Sequence, residues 1–267
     1  MKKLYNLIPL IKRARGYRLY DYKGNRYLDL YQNNGHSILG HNTHYISKLM
    51  KNIISCGLIS DLPSIYHKRI KKELKHTFDQ YKSFLIFNSM EQAAATITKL
   101  TGKLIDKISD PVLGDIREVS FYRPFLPKQI LKELFSKARI LVPIFPFSIG
   151  GSPVIVCFKD TIANIPELPV SPLLLAGTLK SIYSLKKAAL PEWQKNLDIN
   201  NKYWNKMGLY IIPKITPKNY KKVFNFSLTN GILISPEYNK PSILPGEAST
   251  GEIKKMLGIF NKILDNM

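Results

Sequence analysis

Gly16-Tyr17-Arg18-Leu19-Tyr20-Asp21-Tyr22-Lys23-Gly24-Asn25-Arg26-Tyr27-Leu28-Asp29 is the stretch on which the reading of the fold turns. Alternating aromatic or aliphatic and polar residues flank Lys23-Gly24-Asn25-Arg26, whose Gly-Asn pair suits a tight turn, so a β-hairpin is predicted over residues 17–31. A loop rich in Gly, His and Asn follows, Asn33-Asn34-Gly35-His36-Ser37-Ile38-Leu39-Gly40-His41-Asn42. A helix is expected over residues 45–55, with Ile46, Leu49, Met50 and Ile53 on one face, and a second, basic amphipathic helix over 65–78.

Further along, Phe84-Leu85-Ile86-Phe87 reads as a short buried strand running straight into an Ala-rich helix. Ser89 and Gln92 form a capping box that sets where that helix starts. Residues 101–170 are the least regular part, with many prolines and one clear helix near 128–139. The uncharged stretch 140–158 is nominally long enough to cross a bilayer, but Pro143, Pro146, Pro153 and Gly150-Gly151 would break it as a helix. It reads as two β segments, 140–145 and 154–158, around a Gly/Ser/Pro turn. Residues 172–187 are an apolar helix, and 209–212 and 231–235 are strand-like. Ser249 and Glu252 cap a last helix carrying Ile253, Met256, Leu257, Phe260, Ile263 and Leu264 on one face.

Composition bounds the function. With 45% hydrophobic residues in a chain of 267, wholesale disorder is excluded and one or two domains are expected. The net charge of +21 suggests an anionic partner, yet only eight of the forty cations are Arg. Lys matches the planar edges of phosphates and bases poorly, and the Lys residues are spread along the chain, which argues against nucleic acid. The densest cluster, residues 67–76, reads as the solvated face of a helix. Cys56 and Cys157 are too few for a disulfide framework and read as reduced core thiols, consistent with a cytoplasmic protein. The start of the chain briefly mimics a signal peptide, but Asn6 and Pro9 interrupt its apolar run, and no membrane insertion is expected. His36, His41 and His44 lack metal-site spacing and a carboxylate or cysteine partner, so no metal site is assigned. Asp21 and Asp29 read as turn carboxylates rather than a catalytic pair.

In order, these features resemble a class III pyridoxal-phosphate-dependent aminotransferase, the group that includes glutamate-1-semialdehyde aminomutase. Residues 16–29 resemble its opening hairpin, Leu39-Gly40-His41 its "LGH" loop, and Phe87-Asn88-Ser89 with the following helix its phosphate-holding turn. Residues 171–177 and 231–236 resemble parts of its C-terminal domain. The resemblance implies an α/β fold with α+β elements: a truncated fold-type-I transferase with a reduced central sheet and a smaller domain built from both chain ends. The implied organisation is 1–44 as an N-terminal hairpin segment packing with the C-terminal domain, 45–170 as the remnant of the large domain, and 171–267 as the small domain. It also implies a homodimer, with room for a small-molecule ligand.

The family's chemistry requires a lysine for the Schiff base, a carboxylate at the pyridine nitrogen, and backbone donors at a helix start for the phosphate. Against the family's Asn-Ser-Gly-Ser/Thr-Glu-Ala turn, Met90 falls at the glycine, Glu91 at the hydroxyl residue and Gln92 at the glutamate. A carboxylate at Glu91 would repel the phosphate and take the positive end of the helix itself. Ser89, Met90 and Glu91 are therefore degenerate cofactor-binding positions. The stacking Tyr-His-Gly is absent after the turn, and the carboxylate strand has only an echo in Arg117-Glu118-Val119. The lysine turn has an echo in Phe147-Ser148-Ile149-Gly150-Gly151-Ser152-Pro153, with Phe147 at the lysine position. Lys159 ends the next strand and is the one lysine placed comparably.

Three readings follow. The first is a degenerate aminotransferase-like protein that has lost transaminase chemistry, takes no cofactor, and serves as a binding or interaction module. The second is a working pyridoxal-phosphate enzyme, an aminotransferase or aminomutase with a rearranged site that uses Lys159. The third is a basic protein binding nucleic acid or an acidic partner.

Overall fold

The computed structural model describes residues 4–41, 44–102, 108–149, 152–162, 165, 167–195, 197, 199 and 203–265. The predicted hairpin is β2 (Arg18–Asp21) and β3 (Arg26–Asp29), and it is extended by an earlier antiparallel strand, β1 (Ile11–Arg15). β1 escaped the sequence reading because Lys12, Arg13 and Arg15 break its apolar alternation; charge is common on a sheet's edge strand, where it discourages further pairing. The Asp21 carboxylate accepts from the backbone N–H and side-chain amide of Asn25, both at 2.8 Å, and from the Tyr27 hydroxyl, pinning the turn. Asp29 does the same for the next loop: one oxygen accepts from the N–H groups of Tyr31 and Gln32, and the other meets His41 Nε2 at 2.7 Å. Gly40 lies at φ +89°, and a Cβ there would sit 3.2 Å from the Gly16 carbonyl oxygen, which the His41 N–H already binds. The Gly/His loop is thus a packed turn; its Asn42 lies outside the described residues.

The middle of the chain supplies α1 (His44–Ser55), α2 (Ile65–Thr77), β4 (Ser83–Phe87), α3 (Met90–Thr101), β5 (Val119–Tyr122), α4 (Lys128–Lys137), β6 (Ile140–Pro143), β7 (Val154–Phe158) and α5 (Pro172–Lys187). Its sheet has the order β4-β7-β6-β5. β7 runs antiparallel to both neighbours, with Leu85 opposite Val156 and Leu141 opposite Cys157, and only β5 and β6 are parallel. α3 packs on this sheet through Ala93 and Ile97, which are fully buried with Val156. α5 packs against α1 and α2. The sequence boundary at 171 would put α5 with the C-terminal segment, whereas its buried face, including Leu175, Ala176 and Leu179, joins the middle unit.

The last part contributes α6 (Glu192–Lys195), β8 (Trp204–Met207), β9 (Tyr210–Pro213), α7 (Pro217–Thr229), β10 (Ile232–Leu233), β11 (Ser242–Ile243) and α8 (Thr250–Asp265). β10 pairs in parallel with β3, setting Ile232 beside Leu28 and closing the sheet β1-β2-β3-β10. A second sheet has the order β11-β9-β8. Their shared core joins Leu30, Phe224, Ile234 and Leu244 to Trp204 and Phe260, whose ring centroids are 4.6 Å apart. The chain thus forms two units, Met1–Thr43 with Ala188–Met267, and His44–Lys187.

Cys157 is a buried core thiol as expected, but Cys56, just past the end of α1, is exposed. No helix among the described residues is long and apolar enough to cross a membrane.

Candidate functional site

The β4–α3 turn in the second unit is where the family resemblance places a phosphate. Ser89 is the N-cap of α3 in extended conformation, and its Oγ accepts from the Gln92 N–H at 3.3 Å. The Gln92 side chain reaches back one residue further than a regular capping box and accepts from the Asn88 N–H at 3.2 Å. The Glu91 carboxylate folds onto its own backbone N–H and the Ser89 hydroxyl, which together hold its carboxyl below the usual carboxylate range. The Ser89 and Glu91 side chains therefore occupy donors of this helix start, and Gln92 occupies the N–H just before it. Met90, at the glycine position, is half-buried and packs on the apolar core of the unit.

A neighbouring segment also covers the turn. Glu167 Oε1 accepts from the Ile86 N–H at 3.0 Å, and the Asn88 side-chain amide donates to the Pro169 carbonyl at 3.1 Å. Burial opposes ionisation of Glu167, but His67 at 3.0 Å and Lys71 at 2.6 Å outweigh it and lower its pKa.

The remaining candidates are committed elsewhere. Phe147 is buried, and its ring lies against α5 where Gly177 leaves space; a Cβ at Gly177 would fall 2.4 Å from two ring carbons. Gly150 and Gly151 of the lysine-turn echo lie outside the described residues. Lys159 Nζ donates to the carbonyls of Phe135 and Ser136 at the C-terminal end of α4 and lies 5.8 Å from the Tyr81 ring centroid. These carbonyls, free at the end of a helix, tie the amine to α4. Glu118, from the echo of the carboxylate strand, faces Arg139 at 3.9 Å.

Sequence reading missed a buried ion pair at the far end of β5. Arg123, 1% exposed, donates Nε to both oxygens of Asp110 at 2.9 Å and Nη2 to Oδ2 at 2.6 Å. The only local signal was Asp110-Pro111, a helix-start pattern that gave no hint of a partner thirteen residues away. Among the described residues no cluster of three or more His, Cys, Asp or Glu could hold a metal ion, and His41 serves Asp29 instead.

This order of strands and helices is the fold of the class III, fold-type-I pyridoxal-phosphate-dependent aminotransferases. Ornithine aminotransferase from Plasmodium yoelii superposes with a TM-score of 0.69 over 97% of this chain and 94% of its own, at 14% identity. A glutamate-1-semialdehyde aminomutase from Pseudomonas aeruginosa superposes with a TM-score of 0.64 over 96% and 87%, at 10% identity. Identities this low establish the fold alone. In sequence, an uncharacterized protein of Borreliella burgdorferi is 28% identical across 99% of this chain and 96% of its own length. No family model matches the chain.

Proposed function

We propose that this protein keeps the aminotransferase fold without transaminase chemistry and works as a binding or interaction module. The observation that carries this reading is the closed start of α3, where Ser89, Glu91 and Gln92 take up donors that a cofactor phosphate would need. The residues present do not fit pyridoxal phosphate on two further counts. Phe147, whose phenyl ring cannot form a Schiff base, fills the lysine-turn position, and Lys159 Nζ is engaged by carbonyls at the end of α4. The buried carboxylate Asp110 is saturated by the Arg123 fork.

The test is spectroscopic. Purified protein mixed with excess pyridoxal phosphate should develop no visible band of a lysine-bound cofactor, and mass spectrometry after borohydride should find no pyridoxyl adduct. An adduct would overturn the proposal, and its loss in Lys159→Ala would assign the lysine.

The same reading includes a homodimer, the arrangement implied by the family resemblance. Supporting it, the link from the end of α1 to the start of α2 exposes Ile54, Ile59, Leu62 and Ile65, each about half accessible. Light scattering on the full chain should give a dimer mass, and Leu62→Asp with Ile65→Asp should shift it toward monomer.

A further inference from the structure

Half of the arginines in this Lys-rich chain lie within residues 13–26, and all four of them, Arg13, Arg15, Arg18 and Arg26, line one cleft of about 880 Å³ in the first unit. Strand alternation puts Arg13 and Arg15 on the same face of β1. The antiparallel register then sets Arg15 opposite Arg18, Arg13 opposite Tyr20, and Tyr20 opposite Arg26. The beginning of α8 forms the other wall.

The four guanidinium groups are not equivalent. Glu252 binds Arg18 through both oxygens, at 2.9 and 2.8 Å, and lies 3.8 Å from Arg26. Arg13 and Arg15 are exposed and have no carboxylate partner among the described residues; Arg13 is held over the Tyr20 ring at 5.5 Å. Arg18, opposite Arg15, already has the Glu252 carboxylate, so the charge open to an outside anion is that of Arg13 and Arg15. At the start of α8 the Ser249 and Glu252 N–H groups are already taken, by the Glu252 carboxylate and the Ser249 hydroxyl respectively.

We propose that this cleft binds a small oligophosphate-bearing ligand, with Arg13 and Arg15 as its two free phosphate forks. Two residues along a strand span about 7 Å, so their long side chains can converge from two sides on one polyphosphate chain. Guanidinium pairs each phosphate through two parallel hydrogen bonds, which an ammonium cannot do. The volume falls in the range of small-molecule sites, about 300–1,000 Å³. Nucleic acid would call for a basic stripe running beyond the cleft, whereas the arginines of this unit are confined to it. The inference rests on the first unit alone and stands or falls independently of the cofactor reading above.

Calorimetric titration of the full chain with inorganic tripolyphosphate provides the test. Wild type should bind saturably at one site, and Arg13→Gln with Arg15→Gln should weaken binding by about tenfold or more. The corresponding double Lys variant should bind several-fold more weakly than wild type, since it keeps the charge and loses the forks. Glu247→Gln, which removes an exposed carboxylate at the rim, should strengthen binding, and Arg117→Gln, at an arginine outside the cleft, should change nothing. Unaltered circular dichroism would show that each variant is folded. No saturable binding by wild type, equal affinity in the double Gln variant, or tighter binding of a single-stranded oligonucleotide than of tripolyphosphate would each overturn the proposal.

Discussion

At Gly177 a single missing methyl group decides how the second unit packs. The Phe147 ring occupies the space a Cβ would need, with two ring carbons 2.4 Å from that position. Gly177→Ala should therefore destabilise the protein by about 1–3 kcal/mol, the usual cost of overpacking a core. Gly258, inside α8 with nothing within 4 Å of its virtual Cβ, should behave in the opposite way. Gly258→Ala should stabilise by about 0.5–1 kcal/mol through helix propensity and a less flexible unfolded chain. Urea midpoints of the two variants check both signs. Phe147→Leu should recover part of the Gly177→Ala loss if the two side chains are coupled. Little of this could be read from residue identity. The sequence offered Phe147 as a replacement for a lysine, but its packing partner lies thirty residues away on α5. Lys159 could be placed at a strand end, yet its anchoring depends on carbonyls of α4 that only the folded chain brings near.

At the scale of elements, α8 is attached to the opening meander by one carboxylate with two tasks. Glu252 accepts from the Ser249 N–H at 2.9 Å, completing the capping box, and also grips the Arg18 fork. The Arg18 hydrogen bonds, only partly opposed by burial, pull its pKa from an ordinary 4.5 down to about 2. A depressed folded-state pKa means that the contribution is complete above about pH 4.5 and lost as pH falls toward 2. It amounts to about 3 kcal/mol at most. The urea-unfolding difference between wild type and Glu252→Gln should be constant near neutrality and shrink steadily below pH 4.5. A difference that did not change with pH would refute the linkage. Both N-caps, Ser89 and Ser249, were legible because the rule is local and names the residues involved, although Gln92 closes on Asn88 rather than on the cap residue. β5 and α7 were not. β5 is four residues ending in half-exposed aromatics, and α7 has its apolar positions diluted by Lys218, Lys221 and Lys222. Thr216-Pro217 at the start of α7 is nonetheless a helix-start pattern.

At the scale of the whole molecule, the chain order and the folding units do not coincide. Residues from both ends build one core, through the parallel pairing of β3 with β10 and the bond from the Ile243 N–H to the Leu30 carbonyl. Gln32, buried in the loop after β3, adds a side-chain amide bond to the Ile243 carbonyl at 2.9 Å. Neither segment can satisfy these groups alone, and a buried backbone group left without a partner costs about 1–3 kcal/mol. The middle segment has its own sheet and apolar core, with Ile97, Leu141 and Val156 fully buried. Residues 44–187 expressed alone should therefore fold cooperatively, giving dispersed amide spectra and a sigmoidal urea transition. Residues 188–267 alone should remain largely unfolded, because α7 and α8 would expose the faces that cover Leu28 and Leu30 in the intact core. Supplying residues 1–43 in trans should restore structure to that fragment, with helical circular dichroism rising toward saturation as the peptide is added. Folding of 188–267 without the N-terminal peptide would show that β10, β11 and α8 do not depend on the meander.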